Sequence, residues 1–212
     1  MKDIPVFTTQ YGVASLVLRE IPYTKRAYIR LQDTRQPAEF LKECVSFCTM
    51  CGAEQIFATG NSYLESYPRW ARIVKMSRSA EGLPQTDAAL FPVLPETLEQ
   101  WRSLYNTWMH DVPNAAFMSE QDGQEMLKKG DGYFVHREGN LLGIGRASED
   151  KIDAVIAAQK GMGQDVLLTL CGLITGDTVN LEVAEENLPA VRLYERLGFL
   201  MTGELSCWHL IK

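Results

Sequence analysis

The second half of the chain alternates short apolar runs with longer stretches of helical periodicity. Residues 132–137, 141–147 and 152–158 have the composition of strands, and the glycine-containing connection at 138–140 predicts a hairpin between the first two. Residues 96–109 place apolar side chains at helical spacing, which predicts an amphipathic helix. The other elements expected after residue 90 are a strand at 90–94, a helix at 119–129 with Ser119 as its N-cap, a helix at 163–175, a strand at 179–184, a helix that Asn187 opens and Gly198 ends, and one or two closing strands at 200–211.

The first half predicts a smaller α/β segment, which a polar stretch separates from the rest. Residues 80–87 lack periodicity and contain Gly82 and Pro84, as is typical of a linker. We therefore expect an N-terminal segment at 1–79 and a main domain at 88–212. The elements predicted in the first segment are strands at 14–21 and 26–32, a helix from Pro37 to about Gly52, and strands at 55–58 and 71–76.

Composition and charge limit the classes of protein to consider. The 212 residues are 46% hydrophobic and 23% charged, as in a globular protein with a packed core. A formal net charge of −6 argues against a general nucleic-acid binder. No run approaches the roughly 18 apolar residues of a membrane span, and residues 1–5 do not begin a signal peptide. The five cysteines are an odd number and are not spread as a disulfide framework, so we expect a cytoplasmic protein.

Three of the cysteines, Cys44, Cys48 and Cys51, have a spacing that two kinds of structure share. Radical S-adenosylmethionine enzymes hold an iron–sulfur cluster with cysteines at this spacing, but in a loop of a much larger barrel. Here the spacing also places the cysteines on one helix face with Phe40 and Phe47, which predicts a buried face. We expect no metal site, because no fourth ligand has suitable spacing.

Two glycines, Gly161 and Gly163, stand between a predicted strand and a predicted helix. Glycine lets the backbone turn sharply and approach a ligand closely. The first N–H groups of the helix and the positive end of its dipole would then face an anion such as a pyrophosphate. Two glycines are also found in ordinary tight turns, so the motif alone leaves both interpretations open.

A second motif follows this turn and resembles the GNAT superfamily of acyl-CoA N-acyltransferases. The residues that match the pattern of the family are Asn187, Ala190, Leu193, Tyr194, Glu195, Gly198 and Phe199. The glycine turn also lies where the pyrophosphate loop of the family is expected. The resemblance implies an α/β (α+β) fold with a mixed, mostly antiparallel central sheet flanked by helices. It implies an N-acetyltransferase that takes acetyl-CoA as acyl donor and a primary amine as acceptor.

The resemblance also implies roles for particular residues. The pyrophosphate would be bound by main-chain N–H groups, the pantetheine arm would pair with a strand, and Asn187 would contact the same arm. Tyr194 would protonate the departing thiolate, as a phenol with a pKa near about 10 is able to do. The residues implied for the pyrophosphate are Gly161, Met162, Gly163, Gln164 and Asp165, and those for the pantetheine arm are Val155, Ile156 and Ala157. One departure is Ala158, with Gln159 beside it, where the family usually has Arg or Gln.

Alternative interpretations remain at each position. Asn187 is a favoured N-cap whatever it binds, and Tyr194 could be a core aromatic residue. For the base that accepts the amine proton we expect Asp153, with Glu149 and Glu182 as alternatives. The alternative for the whole chain is a catalytically silent GNAT-fold protein that binds acyl-CoA or a protein partner.

The first segment resembles the second half of the same fold. Its turn at 34–37 lacks the glycines that a pyrophosphate needs, so we expect it to bind no cofactor. We expect it to serve packing, a substrate wall or the interface of a homodimer. The acceptor site is expected near the helices at 96–129, where Trp101, Tyr105 and Trp108 either line a pocket or pack.

Overall fold

The computed structural model describes residues 5–113 and 115–212. The segment at 1–5, for which the sequence predicts no signal peptide, lies mostly outside the described residues. The chain forms two compact units. The first consists of Met1–Ile73 and Glu204–Lys212, and the second of Val74–Gly203. Strands β5 (Arg69–Ser79) and β11 (Leu200–Leu210) therefore each contribute residues to both units.

The first unit is a sheet with one helix packed on a face. Parallel pairing of β3 with β4 begins at Arg26 and Gln55 and runs over five residue pairs, while β1, β2 and β3 pair antiparallel. Cys44 and Cys48 of α2 are fully buried with Phe40 against alternate residues of β3. The elements are β1 (Val6–Thr9), β2 (Gly12–Val17), α1 (Ile21–Thr24), β3 (Arg26–Thr34), α2 (Pro37–Met50), β4 (Gln55–Thr59) and a 3-10 helix (Ser62–Ser66).

The buried cysteines confirm the predicted helix face in part. Cys51 lies at the end of the same helix and is exposed, so the buried face ends at Cys48. None of the five cysteines forms a disulfide, and the described residues contain no group of three or more potential metal ligands.

The second unit is a larger sheet with helices on both faces. Its strands lie in the order β11, β5, β10, β9, β8, β7, β6. Strands β9 and β10 are parallel, and the pairs from β9 to β6 are antiparallel. The predicted mixed, mostly antiparallel sheet flanked by helices is therefore confirmed. The elements are β6 (Ala89–Pro92), α3 (Leu98–Met109), α4 (Glu120–Lys129), β7 (Gly132–Arg137), β8 (Asn140–Ala147), β9 (Lys151–Ala157), α5 (Gly163–Cys171), β10 (Thr178–Ala184) and α6 (Leu188–Arg196).

Strand alternation divides the core of this unit into two layers. Phe134, Ile144 and Ile156 are cross-strand partners on one face and pack with Trp101 of α3. Helix α5 lies on the opposite face, and its buried apolar residues belong to the same core cluster as Val135 of β7. No helix among the described residues is long and apolar enough to cross a membrane.

Close packing of α5 depends on Gly143 of β8. A Cβ atom there would lie 2.2 Å from the Ile156 carbonyl oxygen and 2.7 Å from Cγ2 of Val166. Gly145, two residues along, has a similar role, because its Cβ would lie 2.3 Å from Cδ1 of Leu170. The glycines therefore let the helix lie directly on the strands.

Most predicted elements appear within one to four residues of their expected bounds. The helix predicted at 163–175 ends earlier, at Cys171, where the N–H of Gly172 donates to the carbonyl of Thr169. β1, α1 and the 3-10 helix were not predicted, because elements of four or five residues carry too little periodicity. The compact units divide at 73/74 and 203/204, whereas the sequence suggested a linker at 80–87. Part of this difference arises because the end of the last strand, β11, belongs to the first unit, where Leu210 pairs with Phe57 of β4.

Replacing Gly143 by alanine is expected to destabilise the protein by about 2 to 3 kcal/mol, because backbone and helix would have to move apart. Gly176→Ala is the matched control, since a Cβ there meets no atom within 4 Å, and its effect should stay within about 0.5 kcal/mol. Urea unfolding of both variants measures the difference. Equal stability of the two would show that α5 is not closely packed at Gly143.

Candidate active site

The two parallel strands of the second unit, β9 and β10, pair only at their beginnings. The pairs are Asn180 with Lys151 and Leu181 with Ile152, and the described residues of the two strands form no further pair with each other. Residues 153–157 of β9 continue their pairing with β8 on the other side. One backbone edge of this part of β9 is thus not paired with β10, and an extended ligand could bind there as an additional strand.

The turn after β9 contains the predicted glycine motif. The N–H of Ala158 donates to the Leu142 carbonyl at 2.8 Å and so extends the ladder with β8 by one residue. Gly161 has φ +98°, a conformation that favours glycine, and a Cβ there would meet no atom within 4 Å. The N–H of Met162 donates to the Gln159 carbonyl at 3.2 Å, so this predicted ligand group is engaged inside the turn.

The first turn of α5 presents backbone N–H groups beside this glycine turn. Its N-cap is Met162, whose side chain makes no capping hydrogen bond, and the first helical bond runs from the Val166 N–H to the Met162 carbonyl. The N–H groups of Gly163, Gln164 and Asp165 precede that bond and have no partner within the helix. They lie at the positive end of the helix dipole, which favours an anion.

Asp165 has a second role that the sequence did not reveal. Its carboxylate accepts a hydrogen bond from the Thr86 hydroxyl at 3.3 Å and lies 2.7 Å from Nη2 of Arg137. The same guanidinium lies 2.5 Å from Asp87. The hydrogen bond with Asp165 raises the pKa of Arg137, which burial alone would lower, and Asp87 raises it further. The side chain of Asp165 therefore ties residues 86–87 and β7 to the start of α5.

Asn187 caps α6, which is one of the two roles that the sequence predicted for this residue. Its Oδ1 accepts a hydrogen bond from the Ala190 N–H at 3.4 Å. Pro189 occupies the first turn, where a missing N–H costs nothing. Gly198 follows the helix with φ +83° and its N–H donates to the Glu195 carbonyl, which confirms the predicted glycine C-cap. The amide Nδ2 of Asn187 is the part of this side chain that is not used by the cap.

Tyr194 lies inside the main core of the second unit. The residue is 6% exposed, and its ring centroid is 5.9 Å from that of Phe199. Burial raises the pKa of Tyr194, and nearby Cys171 adds to this effect. The phenol therefore keeps its proton across the physiological pH range and is available as a hydrogen-bond donor.

Asp153 takes part in a charged group that bridges the two parallel strands. Lys151 lies 2.7 Å from Glu182 of β10 and 3.4 Å from Asp153, two residues along β9. Burial lowers the pKa of Lys151, but Glu182 and Asp153 more than offset this, so the net shift is upward. The lysine is held mainly by Glu182, and the more distant Asp153 contact is the weaker of the two.

The aromatic residues proposed for an acceptor pocket belong mostly to the core. Trp101 is fully buried, and its Nε1 donates to the Tyr133 carbonyl at 3.0 Å. Tyr105 is 8% exposed and stacks on Trp101, with ring centroids 5.3 Å apart. Of the two roles considered for these residues, the structure supports packing, while Trp108 is only half-buried.

The corresponding turn of the first unit differs in its backbone hydrogen bonds. The N–H groups of Arg35 and Gln36 both donate to the Tyr11 carbonyl, and Pro37 has no N–H. At its first helical position α2 therefore lacks the N–H that Gly163 provides in α5, and the two N–H groups before that position are engaged with Tyr11.

No protein-family model matches the sequence, and a search of curated proteins finds no match. Solved structures do match. One is a GCN5-related N-acetyltransferase from Sphaerobacter thermophilus, with a TM-score of 0.61 at 13% identity over 94% of this chain and 76% of the other. A functionally unknown conserved protein from Staphylococcus epidermidis has a TM-score of 0.63 at 11% identity, over 96% and 91% of the two chains.

A third structure is an acetyltransferase of the GNAT family from Colwellia psychrerythraea. It matches with a TM-score of 0.52 at 12% identity, over 98% of this chain and 84% of the other. At sequence identities of 11% to 13%, these matches are evidence about the fold alone. Together with the sheet order, the parting of β9 and β10 and the glycine turn, they show that the chain has the fold of the GCN5-related N-acetyltransferase (GNAT) superfamily.

Proposed function

We propose that this protein is an N-acetyltransferase that transfers an acetyl group from acetyl-CoA to a primary amine. The proposal rests on the separation of β9 from β10 after two residue pairs. At the end of β9, the first N–H groups of α5 have no partner within the helix. An extended arm ending in a pyrophosphate matches this arrangement, because it needs an open strand edge followed by a cluster of backbone donors.

The residues present fit such a cofactor. The backbone of Val155, Ile156 and Ala157 would hold the pantetheine arm, and Nδ2 of Asn187 would donate to it. The N–H groups at the start of α5 and the open face of the Gly161 turn would hold the pyrophosphate. These donors are backbone groups, so Ala158 in place of the usual Arg or Gln removes a side-chain contact and leaves them intact. When bound, acetyl-CoA supplies the activated acetyl group as a thioester.

Tyr194 is the proposed donor to the departing sulfur. Its raised pKa makes complete proton transfer to a thiolate unfavourable, because an ordinary thiol has a pKa of about 8.5. A hydrogen bond that strengthens as negative charge develops on sulfur avoids this difficulty. We therefore assign Tyr194 the role of hydrogen-bond donor, a narrower form of the general-acid role that the family motif implies.

Asp153 is the proposed acceptor of the amine proton. Its carboxylate shares Lys151 with Glu182, yet the shorter contact belongs to Glu182. The side chain of Asp153 is 31% exposed, so a water molecule could relay the proton from the amine.

A catalytically silent acyl-CoA binder is the second candidate, and the burial of Tyr194 favours it. Release of free thiol from acetyl-CoA in the presence of a panel of primary amines separates the two functions. Thiol release that depends on an amine supports the transferase. Coenzyme A binding without turnover on any amine supports the silent binder.

The first unit is proposed to bind no coenzyme A, and the hydrogen bonds of its turn support this. We also retain the proposal of a cytoplasmic protein, which five cysteines without a disulfide support.

Removing one backbone donor from α5 should weaken coenzyme A binding. Gln164→Pro deletes an N–H at the second helical position, which Pro189 occupies in α6, and the side chain of residue 164 is exposed. We expect the Kd of coenzyme A to rise about ten-fold, because a charge-assisted hydrogen bond contributes about 1.5 kcal/mol or more. Gln164→Ala, which keeps the N–H, should bind within about two-fold of the wild type. Calorimetry of both variants is the measurement, and equal affinities would contradict the proposed phosphate site.

Tyr194→Phe removes only the hydroxyl group and should lower kcat about a hundred-fold while the Kd of coenzyme A changes less than about two-fold. Since the phenol stays protonated, the wild-type rate should show no decline from Tyr194 up to about pH 10. Steady-state kinetics across pH test both statements. Unchanged turnover would make Tyr194 a core residue without a chemical role.

Asp153→Asn and Glu182→Gln form a matched pair, because each removes one carboxylate beside Lys151. Asp153→Asn should lower kcat/KM for the amine about ten-fold or more near neutral pH, with the loss shrinking at high pH as the amine deprotonates without help. Glu182→Gln should leave kcat/KM within about three-fold. Similar losses in both variants would indicate that the charged group is structural.

A further inference from the structure

The first unit contains a cavity of about 720 Å³, and none of its lining residues belongs to the proposed coenzyme A site. β11 pairs with β4 at His209 and Leu210, and β4 ends at Thr59. The chain then turns through Gly60 into the 3-10 helix, so the preceding residues of β11 are not paired with β4. The cavity lies at this point, and its volume is within the range of small-molecule sites.

A thiol and an imidazole face each other in this cavity. Cys207 and His209 are two residues apart on β11 and so project from the same face of the strand. The Sγ of Cys207 lies 3.6 Å from Nε2 of His209, within reach of a sulfur hydrogen bond. Cys207 is half-buried, while His209 is 7% exposed and cannot swing freely away.

The backbone determines which nitrogen of His209 carries the proton. Nδ1 lies 3.1 Å from the carbonyl oxygen of Tyr67, and a carbonyl only accepts hydrogen bonds. Nδ1 is therefore the protonated nitrogen of the neutral ring, and Nε2 presents its lone pair to the thiol of Cys207. This arrangement of nucleophile, base and orienting group is the geometry in which proteins activate a thiol.

The other four cysteines offer a contrast within the same chain. Burial raises the pKa of Cys44 to about 12 and those of Cys48 and Cys171 to about 11, which makes these thiols unreactive at neutral pH. Cys51 is exposed at the end of α2. Cys207 differs from all four in having an oriented imidazole and a cavity in front of it.

Charged groups of both signs line the cavity with Cys207. Arg69 and Arg72 come from β5, Glu65 comes from the 3-10 helix, and Glu204 comes from β11. Arg72 and Glu204 form an ion pair at 2.7 Å. A small molecule that carries both carboxylate and ammonium groups would meet side chains of opposite charge in this lining.

We propose that Cys207, with His209 as its base, is a site of thiol–disulfide exchange with a zwitterionic low-molecular-weight disulfide. The Sγ atom attacks one sulfur of the disulfide as its proton passes to Nε2 of His209. A new S–S bond joins Cys207 to that sulfur, and the original S–S bond breaks. The departing thiolate takes the proton from His209, so the cysteine is oxidised to a mixed disulfide and one small thiol is released.

The test treats the full chain with glutathione disulfide at neutral pH and locates adducts by intact-mass spectrometry and peptide mapping. We expect Cys207 to react at least about ten-fold faster than Cys51, which is the internal control. The ratio of the two rates should increase as pH falls from about 8 to about 6.5, because a thiol paired with a base keeps more of its reactivity. The neutral disulfide 2-hydroxyethyl disulfide should show a smaller preference for Cys207.

Three variants test the separate contributions of the imidazole, a charged lining residue and the control cysteine. His209→Gln should slow the reaction at Cys207 about ten-fold and leave Cys51 unchanged, with circular dichroism as the check on folding. Arg69→Gln should slow glutathione disulfide and not the neutral disulfide. Cys51→Ser should leave the rate at Cys207 unchanged.

Equal rates at Cys207 and Cys51 in the wild type would overturn the proposal, and this comparison needs no variant to fold. An unaltered Cys207 rate in a folded His209→Gln variant would overturn it as well. Both outcomes are independent of coenzyme A binding, so they leave the proposed acetyltransferase function untouched.

Discussion

The candidate active site depends on one constraint, the separation of two parallel strands after only two residue pairs. A parallel ladder normally satisfies both edges of an inner strand, so an edge left without its neighbour must be satisfied by solvent or by a ligand. In this protein the open edge ends where a glycine turn leads into a helix without a side-chain cap. Strand edge and helix start therefore form one continuous row of backbone groups.

The position of α5 maintains this arrangement. Gly143 and Gly145 leave room for the helix to lie directly on β8 and β9, and the Asp165–Arg137 ion pair fixes its first turn to β7. The site is thus held by the same packing that stabilises the core. Tyr194 shows the same overlap, because a residue that packs in the core also carries the only chemical group that the family motif assigns to the departing sulfur.

The starts of α2 and α5 differ in their backbone hydrogen-bond donors. The first helical residue of α2 is Pro37, which has no N–H, whereas the first helical residue of α5 is Gly163, which has one. The thiol of Cys207 depends on the backbone too, since the Tyr67 carbonyl selects the tautomer of His209. In each case a backbone group determines which hydrogen-bond donors and acceptors are available.

The sequence by itself determined the elements and the position of the motif. Hydrophobic periodicity located α3 and the strands from β7 to β10, and the residues around Asn187 and Tyr194 pointed to the fold, because these signals are local. Only the tertiary structure decided which groups meet. The parting of β9 from β10, the Arg137–Asp165 pair and the hydrogen bond between His209 and Tyr67 join residues distant in the chain, and no local pattern encodes such contacts.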